Sequence, residues 1–154
     1  MLPEADLVKK EIILRDLVLS SEVKISHKKQ IRWLAISMGL ISPGESRTLV
    51  FDVFEVILGR LEFPFTSDNI VEDVCKLQKT KKDDEKKIDK AVRYHLTRLV
   101  KMGFLERNKR QYNWLRADMT DDPIESLKIK TQKDIDRIFK NMKSVYSSYK
   151  IGNR

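Results

Sequence analysis

Residues 92–107 read VRYHLTRLVKMGFLER, and the fold turns on whether this stretch is a plain amphipathic helix or a helix running into a hairpin. At about 100° per residue, Ile88, Val92, His95, Leu99 and Met102 fall on one side of a helix, with Leu96 on its flank. Asp83 or Asp84 supplies the start, and Gly103 after Met102 supplies the stop. Beyond the glycine, residues 104–107 and 112–115 have the composition of two short strands, separated by the loop 108–111. The stretch therefore predicts a helix followed at once by a β-hairpin.

The other side of that helix carries Lys86, Lys90, Arg93, Tyr94, Thr97 and Lys101, a basic, aromatic and hydroxylated face with no acid at its centre. A solvated helix face more often alternates charges as Glu-to-Lys pairs. These groups have uses on a nucleic acid. Lys and Arg neutralise phosphates, Arg93 can make a paired contact to guanine, and Tyr94 and Thr97 can bond a phosphate or touch a thymine methyl.

Charge along the chain points the same way. The 154 residues hold 31 Lys and Arg against 23 Asp and Glu, a net charge of +8. Residues 76–110 alone contain 13 basic and 5 acidic side chains, the whole of that excess, so the remainder sums to zero. An excess confined to one stretch makes a local positive field that attracts and steers a polyanion. A lysine-rich run such as KTKKDDEKK is on its own a solvated loop.

Upstream, the apolar positions Leu7, Leu14, Leu17 and Val18 predict a first helix over 4–19. Ser26 caps a second over 26–38, with Ile31, Leu34, Ala35 and Met38 inward, Lys28, Lys29 and Arg32 outward, and Gly39 as its stop. In SPGE, Ser42, Pro43 and Glu45 match a capping box with a proline start, which predicts a very apolar third helix over 43–59. The FPF of 63–65 is a brief extended piece because Pro64 cannot donate to a ladder. Thr66 or Ser67 then caps a short fourth helix to about Leu77, with Ile70, Val74 and Leu77 inward.

The order helix, short strand, helix, helix, hairpin over residues 46–115, and AVRYHLTRLVKMGFLER in particular, resembles the winged helix-turn-helix superfamily of bacterial and archaeal transcription regulators. The resemblance covers somewhat under half the chain, and the long charged connection before the fifth helix departs from it. It implies a mainly α fold with a small β-hairpin wing: residues 1–40 as an N-terminal helical extension, 41–117 as the winged domain and 118–154 as a C-terminal helical extension. It further implies a double-stranded DNA partner, with the helix at about 84–102 in the major groove and the wing, 104–115, setting Arg107, Lys109 and Arg110 on the backbone. The competing expectation is a winged-helix adaptor holding an acidic protein in a larger assembly, since fold alone does not choose between them.

After ADMTDDP, which reads as a linker, Thr131 and Asp134 mark another helix start, and Ile135, Ile138, Phe139, Met142, Val145, Tyr146 and Tyr149 recur at spacings of three and four. That stripe needs a partner surface, and a homodimer is the expectation. Enzyme readings gain no support. His27 and His95 are the only histidines, Cys75 is the lone cysteine, and no phosphate-binding loop or zinc-protease pattern occurs. The sequence assigns no catalytic residue, cofactor or metal. Trp33 and Trp114 read as packing anchors. The apolar runs fall far short of a membrane span, and MLPEADLVKKEI lacks the apolar core of a secretory signal, so a cytoplasmic chain is expected.

Overall fold

The computed structural model describes residues 2–79, 84–117 and 120–152. Asp83 as a helix start, the middle of the lysine-rich run and part of ADMTDDP lie outside the described residues. The chain is mainly helical with one small antiparallel sheet, and it divides after Trp114 into two compact units.

The first unit contains α1 (Ser21–Ile25), α2 (His27–Ser37), α3 (Leu49–Gly59), β1 (Phe65–Thr66), α4 (Ser67–Gln78), α5 (Glu85–Met102), β2 (Leu105–Asn108) and β3 (Gln111–Trp114). Its core forms where α3, α4 and α5 pack on one another, α3 giving Val53, Phe54 and Ile57, α4 giving Ile70 and Val74, and α5 giving Ile88, Val92, Leu96 and Leu99. All nine are 2% exposed or less. Leu77, expected inward on α4, is half exposed, and Val71 is buried in its stead.

Local chemistry sets most boundaries. Thr66 and Asn69 form a reciprocal capping box at α4, Asn69 N–H donating to Thr66 Oγ1 at 3.2 Å and Thr66 N–H to Asn69 Oδ1 at 2.9 Å. Gly103, at φ 83°, ends α5 in a Schellman motif. There Phe104 N–H donates to Leu99 O and Gly103 N–H to Val100 O, while the buried Phe104 and Leu99 supply the accompanying apolar pair.

In the sheet, β3 lies between β1 and β2. The hairpin is tighter than expected: Asn108 pairs with Gln111, leaving a two-residue turn of Lys109 and Arg110, with Lys109 at φ 58°. Primed turns match strand twist, and that match favours the short loop. Phe65 pairs with Tyr112, and their rings stack at 5.9 Å between centroids. The extended piece expected at 63–65 is thus displaced to Phe65–Thr66, and Phe63 is exposed.

Two expected helix starts in the first unit fail, for physical reasons. The SPGE segment is a turn, not a cap. Gly44 takes φ 82° and Glu45 N–H donates to Ser42 O at 3.3 Å, which is what Pro and Gly at the two central positions of a type II turn produce. The Glu45 carboxylate is engaged with the backbone N–H and guanidinium of Arg47 at 2.9–3.1 Å, so α3 begins only at Leu49.

The helix expected over 4–19 is a 3-10 turn at Glu4–Leu7 followed by a strap over 8–20 that forms no helix. Arg15 decides this. The end of α2 leaves carbonyls without helical donors, and Arg15 N–H reaches Ser37 O at 2.9 Å while Arg15 Nη1 reaches Ile36 O at 3.0 Å and Ile41 O at 2.8 Å. Ser37 Oγ donates back to Arg15 O at 2.9 Å, and Trp33 Nε1–H holds Val18 O at 3.0 Å. Of the expected apolar face, Leu7, Leu14 and Val18 are exposed and only Leu17 is half-buried.

The second unit is built on α6 (Pro123–Gly152). It starts earlier than the expected Thr131 or Asp134. Asp122 Oδ1 accepts from the N–H groups of Ile124 at 2.9 Å and Glu125 at 3.4 Å, and Pro123 takes the first helical position. The end of what reads as a linker is therefore a helix cap. Among the described residues no helix is long and apolar enough to cross a membrane.

Candidate nucleic-acid interface

The apolar positions of α5 fix its rotation, because burying Ile88, Val92, Leu96 and Leu99 turns Lys86, Lys90, Arg93, Tyr94, Thr97 and Lys101 outward. All six are exposed. The face is less uniformly available than its sequence suggests. Asp89, one turn before Arg93, accepts from Arg93 Nε through both oxygens, at 3.2 and 3.0 Å, and this bond raises the guanidinium's pKa further. Thr97 Oγ1 is turned back to donate to Arg93 O at 2.9 Å. So an acid does stand beside the central arginine, and one hydroxyl is engaged with the helix backbone. Among the described residues Lys86, Lys90 and Lys101 form no ion pair.

The hairpin adds cations of two kinds. Arg107 braces the turn, Nε donating to Lys109 O at 2.8 Å with the guanidinium 5.5 Å from the Tyr112 ring centroid. Lys109 and Arg110 occupy the exposed tip.

Three residues passed over in the sequence shape the surroundings of α5. Arg98 donates from Nη2 to Gly39 O at 3.0 Å and from Nη1 to Leu40 O, tying α5 to the end of α2, and its guanidinium sits 5.7 Å from the Tyr94 ring centroid. No local pattern marks it, since its acceptors are backbone carbonyls more than fifty residues away in sequence. Arg60 grips Asp73 through Nε at 2.6 Å and Nη2 at 3.1 Å, fixing the end of α3 against α4 and holding the Asp73 carboxyl below its ordinary pKa. Arg47, held by Glu45, contributes a positive field felt at His95.

His95 is packed as expected, and its Nδ1 is buried without a hydrogen-bond partner. Burial first, then the charges of Arg98 and Arg47, push the imidazole pKa down to about 4, so it is neutral at pH 7.

The second unit carries a different kind of surface. Ile135, Ile138, Met142, Val145 and Tyr149 follow a 3-4-3-4 spacing, flanked on one side by Phe139 and Tyr146. From Phe139 onward these side chains are 57–69% exposed, and Ile135 and Ile138 are half-buried. Compared with known proteins, the chain matches no family model, no curated protein and no solved structure.

Proposed function

We propose that the first unit is a winged helix-turn-helix that binds duplex DNA as a transcriptional regulator, with α5 in the major groove and the β2–β3 hairpin as the wing on the backbone. The observation that carries this reading is the exposed row from Lys86 to Lys101 on the helix directly preceding the hairpin, with Lys109 and Arg110 at the hairpin tip. The Asp89 pair does not oppose it. An exposed i,i+4 pair is worth about 0.3–0.5 kcal/mol, whereas a bidentate arginine contact to guanine discriminates by about 1–3 kcal/mol. Arg93 can therefore exchange its carboxylate for a base edge.

The α6 stripe is proposed to pair with a second copy of the chain. Ile135 to Tyr149 forms the seam, and the flanking positions carry Gln132, Asn141 and Ser148, with Asp134 already paired to Arg137 at 3.0 Å. Arg137, Lys140, Lys143 and Lys150 lie on the far sides of the helix. Two copies of a positively charged helix thus meet without like charges facing each other. Such a dimer would read half-sites about 34–36 Å apart. The same stripe favours the second reading, an adaptor that holds another protein.

Fluorescence anisotropy with a labelled mixed-sequence duplex, against the same-length single strand over a salt series, tests the reading. The expected result is a duplex preference with a log–log salt slope near −5, what about six neutralised phosphates give. Absence of duplex binding at about 50 mM salt overturns it in favour of the adaptor.

A further inference from the structure

Among the described residues, the first unit leaves eleven large hydrophobic side chains exposed, and eight of them lie between Leu2 and Ile25. An exposed apolar set gathered in one segment marks a contact surface. The strap that carries most of it enters extended at Val8, with φ −79° and ψ 109°, and leaves extended at Ser20, with φ −83° and ψ 160°. In between, Arg15 is held as a strand residue is, its N–H and its carbonyl both bonded to Ser37 at 2.9 Å. Ile13 O faces the same way, toward Gly39.

Backbone groups of successive residues alternate sides along an extended chain. With Ile13 and Arg15 turned to the body of the unit, Ile12, Leu14 and Asp16 turn theirs away, and none of these three backbones makes a hydrogen bond among the described residues. At Val18 the carbonyl is bound again, by Trp33, which ends the free run. The strap is thus a short strand with one edge on its own unit and the other edge open. Such an edge is a template for another extended chain.

The strap's own sequence selects the partner. Paired antiparallel about Ile13, Lys10 lies opposite Asp16, Glu11 opposite Arg15 and Ile12 opposite Leu14, while Ile13 meets itself. Opposite charges and apolar pairs facing each other across strands stabilise, and like charges directly opposite destabilise. Sliding the register by one residue sets Glu11 against Asp16 in one direction and Lys10 against Arg15 in the other. Charge therefore favours one register, and that register also pairs the outward-facing backbones of Ile12, Leu14 and Asp16 with even-numbered partners.

We propose that the open edge of the strap pairs antiparallel with the same edge of a second copy of the chain, about a two-fold axis through Ile13. Two strands this short make a marginal pair by themselves, so the contact is weak, and trapping reveals it where sedimentation does not. It rests on neither the DNA reading nor the α6 seam.

Disulfide trapping of the full chain with oxidised glutathione tests it, in a Cys75→Ser background that removes the native thiol. Ile13→Cys places two thiols in a non-hydrogen-bonded pair, whose Cα separation of about 4.5 Å suits a disulfide. Ser20→Cys carries them to opposite ends of the pair. The expected result is that Ile13→Cys accumulates as a disulfide dimer and Ser20→Cys does not, both with the α6 seam intact and with Met142→Glu added, so a failed seam leaves this test standing. Asp16→Lys sets like charges opposite each other and loses the trapping; adding Lys10→Asp restores it, a rescue that a merely unfolded strap would not give. In the wild-type chain, hydrogen exchange of the Leu14 and Asp16 amides slows as protein concentration rises. Equal trapping at both positions overturns the proposal, as does absence of rescue by the charge swap. Amide exchange independent of concentration overturns it whatever the variants do.

Discussion

Asp89 and Arg93 stand one helical turn apart on α5, the carboxylate accepting from Arg93 Nε through both of its oxygens at 3.2 and 3.0 Å. Removing the acid leaves Arg93 unpaired on the exposed face. Asp89→Asn is expected to tighten binding to every duplex, because a negative charge leaves the surface that meets phosphate. Arg93→Ala is expected to flatten preference among sequences, and Lys109→Ala to weaken all duplexes alike and reduce the salt slope by about 1. Anisotropy on a panel of duplexes checks all three. Equal losses at every sequence for Arg93→Ala and Lys109→Ala would refute the division of roles.

Two glycines separate backbone strain from backbone collision. Gly39 and Gly44 have φ of 74° and 82°. A Cβ on Gly44 meets nothing within 4 Å, so Gly44→Ala is expected to cost about 1–2 kcal/mol from conformation alone. A Cβ on Gly39 would lie 2.3 Å from the carbonyl oxygen of Ile13, so Gly39→Ala must also displace the strap and cost more. Urea unfolding of the two variants side by side gives the order. Equal midpoints would mean that the strap lies only loosely on Gly39.

His95 makes stability depend on pH in a defined direction. The imidazole titrates near 6.5 when unfolded and near 4 when folded, so between those values the unfolded chain takes up the proton first. Stability is expected to fall as pH drops from about 6.5 to about 4 and to lose no more from this group below that. Partial exposure of the ring discounts the effect to about 1–2 kcal/mol. His95→Phe should remove this component, which urea midpoints at pH 7.5, 5.5 and 4.5 would show. An identical pH profile in the variant would rule His95 out as its source.

Met142→Glu and Val145→Glu place a charge in the α6 seam at positions 57% and 69% exposed within one chain, so folding of the single chain should be unaffected. Sedimentation equilibrium is expected to find the wild type as a dimer and both variants as monomers, with thermal unfolding of the monomeric variants no longer dependent on concentration. A monomeric wild type at tens of micromolar would remove the seam as a self-association surface.

Sequence resolved these elements unequally, and the dividing line is the reach of the signal. The apolar row of α5, the Gly103 stop and the Thr66 cap act within a few residues, and each is legible locally. SPGE satisfies two local rules at once, and the choice fell to Gly44, whose positive φ suits the third position of a turn and not a helix interior. The strap has helical spacing of its apolar residues, yet its conformation answers to Arg15 bonding the end of α2, more than twenty residues on. Arg98 is silent for the same reason. In Asp122-Pro123 the signal was local and present, but a cluster of polar residues masked a cap as a linker.

The placement of β3 between its two neighbours fixes an order of events during folding. Leu105 to Trp114 closes on itself through a two-residue turn, so that pairing is cheap in chain entropy. Phe65 meets Tyr112 only after α4 and α5 have brought distant parts of the chain together. β1 therefore docks last. Phe65→Leu should accelerate unfolding far more than it slows refolding, and a chevron with the opposite asymmetry would place β1 in the folding nucleus instead.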